Sequence, residues 1–183
     1  MNDGGVIILG IDPGSHHLGI GFLHKRGHQL KLLHADTLNA PAKAPFFDRL
    51  EILHKQLKPL VLKWKPQEVA IEDVFSAKSP RSAFRLGIAR GVALSACLGM
   101  ELKFFEYAPT QVKSVVTGFG RADKSQVQKM VGLTLGMKLD LGFDATDAIA
   151  VAICHAFSVR ILTTISKESK TSYDRIPSRK SIE

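Results

Sequence analysis

Hydrophobic positions in the first forty residues follow the patterns of β-strands. A continuous aliphatic run at residues 6–11 is typical of a strand that is buried on both faces. Two more strand-like segments follow at residues 18–24 and 29–38, and turn residues around Gly27 separate them. The pattern therefore predicts a three-stranded meander at the start of the chain.

The spacing then changes to that of an amphipathic helix. Large apolar residues recur at three- and four-residue steps across residues 46–64, and Pro66 ends this predicted helix. Short strands are predicted at residues 68–73 and 103–107. Between them, a helix rich in small residues is predicted at 79–99, where Ser79 suits the N-cap and Pro80 the first turn.

Three further helices are predicted towards the end of the chain. They cover residues 110–117, 124–135 and 144–160, and a flexible Gly118-Phe119-Gly120 link joins the first two. The order βββαβαβ followed by helices indicates an α/β fold, a mixed sheet with helices on its faces. The 183 residues fit one domain, expected to span residues 1–160. Residues 161–183, rich in Ser, Thr, Lys and Arg, predict a basic, disordered tail.

The charge balance favours an anionic partner. The chain has 25 Lys+Arg against 17 Asp+Glu, a formal net charge of +8. Nucleic acid is the partner that this surplus favours and a membrane surface is a less common one, while ordinary solubility charge is an equally good explanation. Two cysteines are too few for a disulfide framework or a cysteine-based zinc site. With no export signal and no apolar run long enough to span a bilayer, we expect a soluble, cytoplasmic protein with no membrane partner.

Four acidic residues stand out by their positions. Asp12 and Glu72 each end an apolar strand, while Asp144 and Asp147 lie three residues apart at the start of a helix and share one face. Strand ends and helix N-termini converge on one rim of an α/β sheet. Carboxylates that meet there repel one another unless cations bind between them, and oxygen ligands favour Mg²⁺ or Mn²⁺.

Each carboxylate also has a structural explanation of its own, except one. Asp12 could cap its turn, and Asp144 could be a helix N-cap while Asp147 complements the helix dipole. Glu72 has no such explanation, because an unpaired buried carboxylate is costly. Taken together, the four favour a metal site over coincidence, and two-metal phosphoryl chemistry agrees with the basic surplus.

Six motifs in order resemble the RuvC family of Holliday junction resolvases. They are ILGIDPGS from Ile8, AIEDVF from Ala70, LGIARGVA from Leu86, FEYAPTQVK from Phe105, DKSQVQ from Asp123 and DATDA from Asp144. Together they cover the chain from about residue 6 to residue 155. The first motif alone would be weak, because sugar kinases and actin-like ATPases open with a similar strand.

The resemblance implies a specific fold and activity. RuvC-like proteins have a ribonuclease H-like fold, here a mixed five-stranded sheet with helices on both faces. They act as homodimers that nick two opposite strands of a four-way DNA junction with Mg²⁺, for which Mn²⁺ is expected to substitute, and leave 5′-phosphate ends. Their four catalytic, metal-binding acids match Asp12, Glu72, Asp144 and Asp147. A branch-migration helicase complex is a further expected partner.

The resemblance and the charge pattern also predict DNA contacts. Phe75 matches a family residue that stacks at the junction centre, and Lys113 and Lys124 match basic positions near the scissile strand. Charge alone adds Lys78, Arg81 and Arg121, although for Arg81 taken alone a solvated surface charge is the better explanation.

Gly87 and Gly91 predict a dimer interface. Glycine costs a helix about 1 kcal/mol relative to alanine, and two glycines four residues apart let another backbone approach closely. Packing of this helix on its own sheet is the equal alternative from the residues alone; the resemblance favours a homodimer.

Two other functions fit parts of the sequence. An actin-like, ATP-using kinase shares the first motif, but it needs two such domains and this chain is long enough for one. A junction-binding module without catalysis fits the basic surface, but four intact carboxylates argue against it.

Overall fold

The computed structural model describes residues 4–73 and 79–173, with side chains through residue 158. Five strands form one sheet in the order β3-β2-β1-β4-β5. The first three are antiparallel, whereas β4 and β5 run parallel to β1. Their bounds are β1 Val6–Asp12, β2 His17–Arg26, β3 Gln29–Asn39, β4 Glu68–Glu72 and β5 Lys103–Tyr107. The predicted meander and the mixed five-stranded sheet are confirmed.

Five helices cover the two faces of this sheet. They are α1 Phe46–Trp64, α2 Pro80–Ser95, α3 Pro109–Thr117, α4 Lys124–Leu135 and α5 Phe143–Tyr173. The side chain of Ser79 accepts a hydrogen bond from the Ser82 amide, so the predicted N-cap of α2 is confirmed. One core cluster lies between the sheet and α1 with the end of α2, and the other lies between the sheet and α3, α4 and α5.

Alternation along the two central strands separates the two cores. In β1, Leu9 and Ile11 pack in the α1 cluster, while Ile8 packs in the α5 cluster. In β4, Val69 and Ile71 face α1, and Ala70 faces α5. Because successive side chains of a strand point to opposite faces, the residues that end both strands point to the α5 side.

Helix α5 lies unusually close to the sheet because glycines line the contact. Gly10 and Gly21 are cross-strand partners in β1 and β2. A Cβ atom on Gly10 would overlap the carbonyl oxygen of Ala148, and one on Gly21 would lie 2.9 Å from Cγ1 of Ile149. A Cβ atom on Gly19 would overlap the carbonyl oxygen of Asp144. The absence of side chains at these three positions therefore lets the helix backbone rest on the strands.

Three segments differ from the sequence prediction. Helix α2 ends at Ser95, and residues 96–99 form turns instead of a last helical turn. Residues 118–120 form a defined turn, in which Gly118 is a left-handed C-cap and the Phe119 amide donates to Thr117 Oγ1. Helix α5 continues past residue 160 to Tyr173, since the next residues include no Gly or Pro to stop it.

Residues 174–183 lie outside the described part of the chain, so the proposed domain boundary stays a prediction. Across the residues that the structure describes, no helix combines the length and the apolar character that crossing a membrane requires.

A methyl group at Gly10 should separate α5 from the sheet. The clash in Gly10→Ala is with backbone, which cannot move aside as a flexible side chain can, so we expect a loss of about 1–3 kcal/mol in the free energy of unfolding. Gly120→Ala is the control, because its Cβ would lie an ordinary 3.5 Å from the Thr110 carbonyl oxygen. Urea unfolding measures both; equal stability of the two variants would contradict the close-approach interpretation.

Candidate metal centre

Asp12 and Glu72 are neighbours because of strand register. Each is the last residue of its strand, β1 or β4, and these strands are parallel, with Ile11 opposite Ile71. The residues that follow in register are therefore Asp12 and Glu72, side by side on the α5 face. Both carboxylates are half-buried at the carboxyl edge of the sheet.

Helix α5 brings the other two acids to the same edge. Asp144 lies in its first turn, and Asp147 follows one turn later. Gly19, over which the backbone of Asp144 passes, is the cross-strand partner of Asp12. The close approach of α5 to the sheet thus places Asp144 and Asp147 beside Asp12. The structure brings Asp12, Glu72 and Asp147 together in one cleft, and Asp144 is close enough for its charge to act on Asp12.

Two lysines complete the rim. Lys124 is the first residue of α4, a helix whose N-terminus is closed by a capping box between Asp123 and Gln126. The Nζ atom of Lys124 lies 2.8 Å from Oδ2 of Asp147. Lys113 projects from α3. Together these side chains surround a cleft of about 220 Å³. Its lining consists of Asp12, Glu72, Asp147, Lys113 and Lys124 with Pro109, Val112, Val127 and Ala150.

The electrostatics of this cleft disfavour four bare negative charges. Burial first, and then the carboxylates of Glu72, Asp147 and Asp144, raise the pKa of Asp12 to about 8. Burial and the charge of Asp147 also raise the pKa of Glu72, although Lys124 and Lys113 oppose this. At neutral pH, the cluster therefore holds a proton unless a cation replaces it.

Lys124 supplies part of the missing positive charge. Burial opposes its charged form, but the hydrogen bond to Asp147 and the charges of Asp147, Asp12 and Asp144 outweigh burial and raise its pKa. The ammonium therefore stays charged and faces three carboxylates. With Lys113, two ammonium groups stand against four carboxylates, so the cleft stays net negative when all four acids are ionised.

The donor set fits a hard divalent cation. In the described parts of the chain, no three Asp, Glu, His or Cys side chains form a ready-made cage around one ion. Mg²⁺ rarely uses such a cage: it keeps several waters and binds through one or two carboxylates plus substrate phosphates. Paired carboxylates at an open, negative cleft meet this requirement, with Asp12 between Glu72 and the acids of α5.

The remaining predicted site residues lie around this centre or beyond it. Arg81 is exposed in the first turn of α2, and Arg121 is exposed before α4, where it does not line the cleft. Phe75 and Lys78 lie outside the described residues. Gly87 and Gly91 are exposed on α2.

Two features of the site were not predicted from the sequence. The glycines at positions 10, 19 and 21 decide where α5 lies, and their signal was their alternate spacing in two adjacent strands. Arg90 of α2 joins the ends of β4 and β5, since its Nη2 lies 2.6 Å from Oε1 of Glu106 and its Nη1 3.5 Å from Oδ1 of Asp73. No spacing in the sequence marks that contact.

Comparison with known proteins agrees with this geometry. A family model described as crossover junction endodeoxyribonuclease RuvC matches residues 8–155. A RuvC from Citrifermentans bemidjiense is 44% identical over 158 residues, which is 85% of this chain and 95% of that protein. The one from Halothermothrix orenii is 39% identical over 157 residues, again 85% of this chain and 95% of the relative.

Solved structures show the same likeness. Thermus thermophilus RuvC in complex with a Holliday junction substrate superposes with a TM-score of 0.79 at 32% identity, covering 86% of this chain and 97% of that one. The yeast mitochondrial resolvase Ydc2, at 12% identity and a TM-score of 0.58, shares the fold. The family model covers residues 8–155, which include all four carboxylates. This chain therefore belongs to the crossover junction endodeoxyribonuclease RuvC family.

Proposed function

We propose that the protein is a divalent-metal-dependent endonuclease that resolves Holliday junctions by paired, symmetric nicks, in homologous recombination and DNA repair. The observation that carries this proposal is the convergence of Asp12, Glu72 and Asp147 with two lysines in one open cleft. Membership of the RuvC family supports the substrate, a four-way DNA junction.

The basic and acidic side chains of the cleft have different proposed roles. Lys113 and Lys124 attract and hold the scissile phosphate, while the carboxylates hold the cations. Two divalent cations, when bound, supply an activated water and neutralise the leaving oxygen. The water would give up a proton as its oxygen forms a bond to phosphorus, the bond from phosphorus to the 3′-oxygen would break, and the 3′-oxygen would take up a proton from solvent. The products are a 5′-phosphate and a 3′-hydroxyl.

Mg²⁺ is the cation that we propose, with Mn²⁺ as a substitute. All the candidate ligands are carboxylates, and the open cleft leaves room for waters and a phosphate, as Mg²⁺ prefers. Asp12, Glu72, Asp144 and Asp147 are the proposed ligands.

A homodimer is supported by the exposed face of α2. Cβ atoms built on Gly87 and Gly91 meet no atom within 4 Å, so packing on the protein's own sheet does not account for these glycines. Phe84, three residues before Gly87 on α2, is 71% exposed, and Leu98, in the turns that follow α2, is 61% exposed. A second copy of α2 crossing at the glycines would cover both, and a two-fold dimer offers one site to each of two opposite strands of the junction.

Further contacts extend from the centre to the DNA. Phe75 is proposed to stack at the junction centre, and Lys78, Arg81 and Arg121 to contact phosphates. A branch-migration helicase complex is the proposed protein partner.

A junction-binding module without catalysis is the second candidate, supported by the basic surplus. A synthetic four-way junction incubated with Mg²⁺ or EDTA separates the two. Paired cuts in Mg²⁺ alone identify the endonuclease, and binding without cuts under both conditions identifies the module.

Removing any one carboxylate should abolish cleavage and spare binding. We expect Asp12→Asn, Glu72→Gln, Asp144→Asn and Asp147→Asn each to slow cleavage at least about a thousandfold, because cation ligation contributes several kcal/mol and about 1.4 kcal/mol is a factor of ten. Junction affinity should hold or rise, since a negative charge facing DNA is lost. Single-turnover cleavage and filter binding measure the two effects.

Asp140→Asn is the matched control, because it removes an exposed carboxylate that does not line the cleft. It should cut at the wild-type rate. A centre variant that does the same is not a cation ligand.

Stabilisation by Mg²⁺ should grow with pH. Asp12 keeps its proton in the folded, metal-free protein up to a pKa of about 8 but loses it on unfolding, so the metal-free protein loses stability as pH rises from 4 through 8. A bound cation removes that loss. The Tm in Mg²⁺ minus the Tm in EDTA should therefore be larger at about pH 9 than at about pH 6. In Asp12→Asn the metal-free slope should flatten; an unchanged slope would show that Asp12 is not the responsible group.

Large side chains at the α2 glycines should produce folded monomers. Gly87→Leu and Gly91→Leu add side chains that have open space in one protomer but block a second α2. We expect dissociation at micromolar concentration and the loss of paired incision, measured by sedimentation and by cutting of a synthetic junction. Lys55→Leu, at an α1 side chain that is 70% exposed, should leave the dimer intact. A monomeric wild type that still makes paired cuts would refute the dimer.

A further inference from the structure

A chain of hydrogen bonds through Tyr107, His155 and Glu68, here called the His155 chain, joins α5 to strands β5 and β4. His155 is 0% exposed, its Nδ1 lies 2.7 Å from the Tyr107 hydroxyl and its Nε2 lies 2.9 Å from Oε2 of Glu68. A neutral imidazole satisfies both contacts: Nδ1 accepts from the tyrosine O–H, and Nε2–H donates to the carboxylate. Burial lowers the pKa of His155, although Glu68 opposes this, which agrees with the neutral form.

Both partners of His155 belong to the strand pair that carries Glu72. Glu68 is the first residue of β4 and Glu72 is the last. Tyr107 is the ladder partner of Glu72 in β5, and its carbonyl oxygen accepts a hydrogen bond of 2.8 Å from the amide of Asp73. Through Tyr107, His155 is therefore connected to the strand end on which Glu72 stands.

The lengths of helix and strand match over this region. Helix α5 runs antiparallel to β1, since Asp144 lies over Gly19 at one end and the Ala156 carbonyl accepts from Lys25 at the other. Eight residues of helix, from Asp147 to His155, rise about 12 Å. Four residues of strand, from Glu72 to Glu68, extend about 13 Å. When His155 meets Glu68, Asp147 therefore meets Glu72.

The rest of the contact defines this axial position weakly. Ala148, Ala152 and Ile149 rest on Gly10 and Gly21, and the apolar contacts that they make are not directional. Hydrogen bonds are directional and fail when either partner shifts by much over half an ångström. The His155 chain and the neighbouring Lys25 contact therefore define where α5 stops along the sheet.

We propose that Tyr107, His155 and Glu68 are positioning residues that hold α5 in axial register, so that Asp144 and Asp147 stand at cation-binding distance from Asp12 and Glu72. The inference rests on the proposed function in one respect, that the four carboxylates bind divalent cations. None of the three positioning residues lines the cleft that contains the carboxylates.

The test is Mn²⁺ binding by the full-length protein without DNA, measured by calorimetry. Tyr107→Phe removes one hydroxyl, and His155→Leu removes both hydrogen bonds. Each should weaken Mn²⁺ binding about tenfold, because a hydrogen bond that fixes the register of α5 is lost. His155→Gln keeps one acceptor and one donor and should recover most of the affinity.

Ile153→Ala is the control for simple loss of stability. Ile153 is 0% exposed on the same helix and packs in the same apolar cluster, but it has no polar contact to offer. Its Tm should fall at least as far as that of Tyr107→Phe, while its Kd for Mn²⁺ stays within about twofold of wild type.

Two results would overturn the proposal. One is wild-type Mn²⁺ affinity in Tyr107→Phe and His155→Leu, and the other is a loss of affinity that follows Tm across all the variants, Ile153→Ala included. Failure of the endonuclease function would look different, because the wild type would bind Mn²⁺ and the variants would weaken it as expected while no junction was cut.

Discussion

The contact between α5 and the glycine-lined strands decides the rest of this structure. Two carboxylates stand on strand ends and two on a helix, and they meet only because no side chain separates the helix backbone from β1 and β2. Dispersion contacts at this distance compensate for the conformational freedom that glycine loses on folding. The four carboxylates therefore depend on three positions that lack side chains, and a larger residue at any of these positions would contact the backbone or a side chain of α5.

The centre conflicts with ordinary folding preferences, and the structure contains several features that reduce the cost. Carboxylates close to one another and half-buried favour protonation, as the raised pKa values of Asp12 and Glu72 indicate. Lys124 offsets part of the repulsion, and the first turn of α5 presents the positive end of its dipole to Asp144. The repulsion that remains among the carboxylates favours the binding of a cation. A functional centre that is locally unfavourable without its cation is what a binding site requires.

Much of this could be predicted from residue order, and the reasons are local. Helix α1 and strand β5 have the predicted bounds, because amphipathic spacing and turn residues are short-range signals. Asp12 and Glu72 were recognisable as charges that end apolar strands. Their closeness in space could not be predicted, because it depends on the pairing of two strands that lie sixty residues apart in the sequence. The His155 chain could not be predicted either, because Glu68, Tyr107 and His155 show no common spacing in the sequence.

The ion pair between Lys124 and Asp147 has a consequence for the order of events in the proposed reaction. An ammonium on Asp147 competes with a cation for the same oxygen. When the cation wins, it releases a lysine whose side chain is already 57% exposed and free to turn to a phosphate. The cation and the DNA strand therefore favour each other's arrival, and by thermodynamic reciprocity each should bind more tightly in the presence of the other. In the proposed reaction, Lys124 would therefore stay paired with Asp147 until a cation displaces it and would then be available to a backbone phosphate.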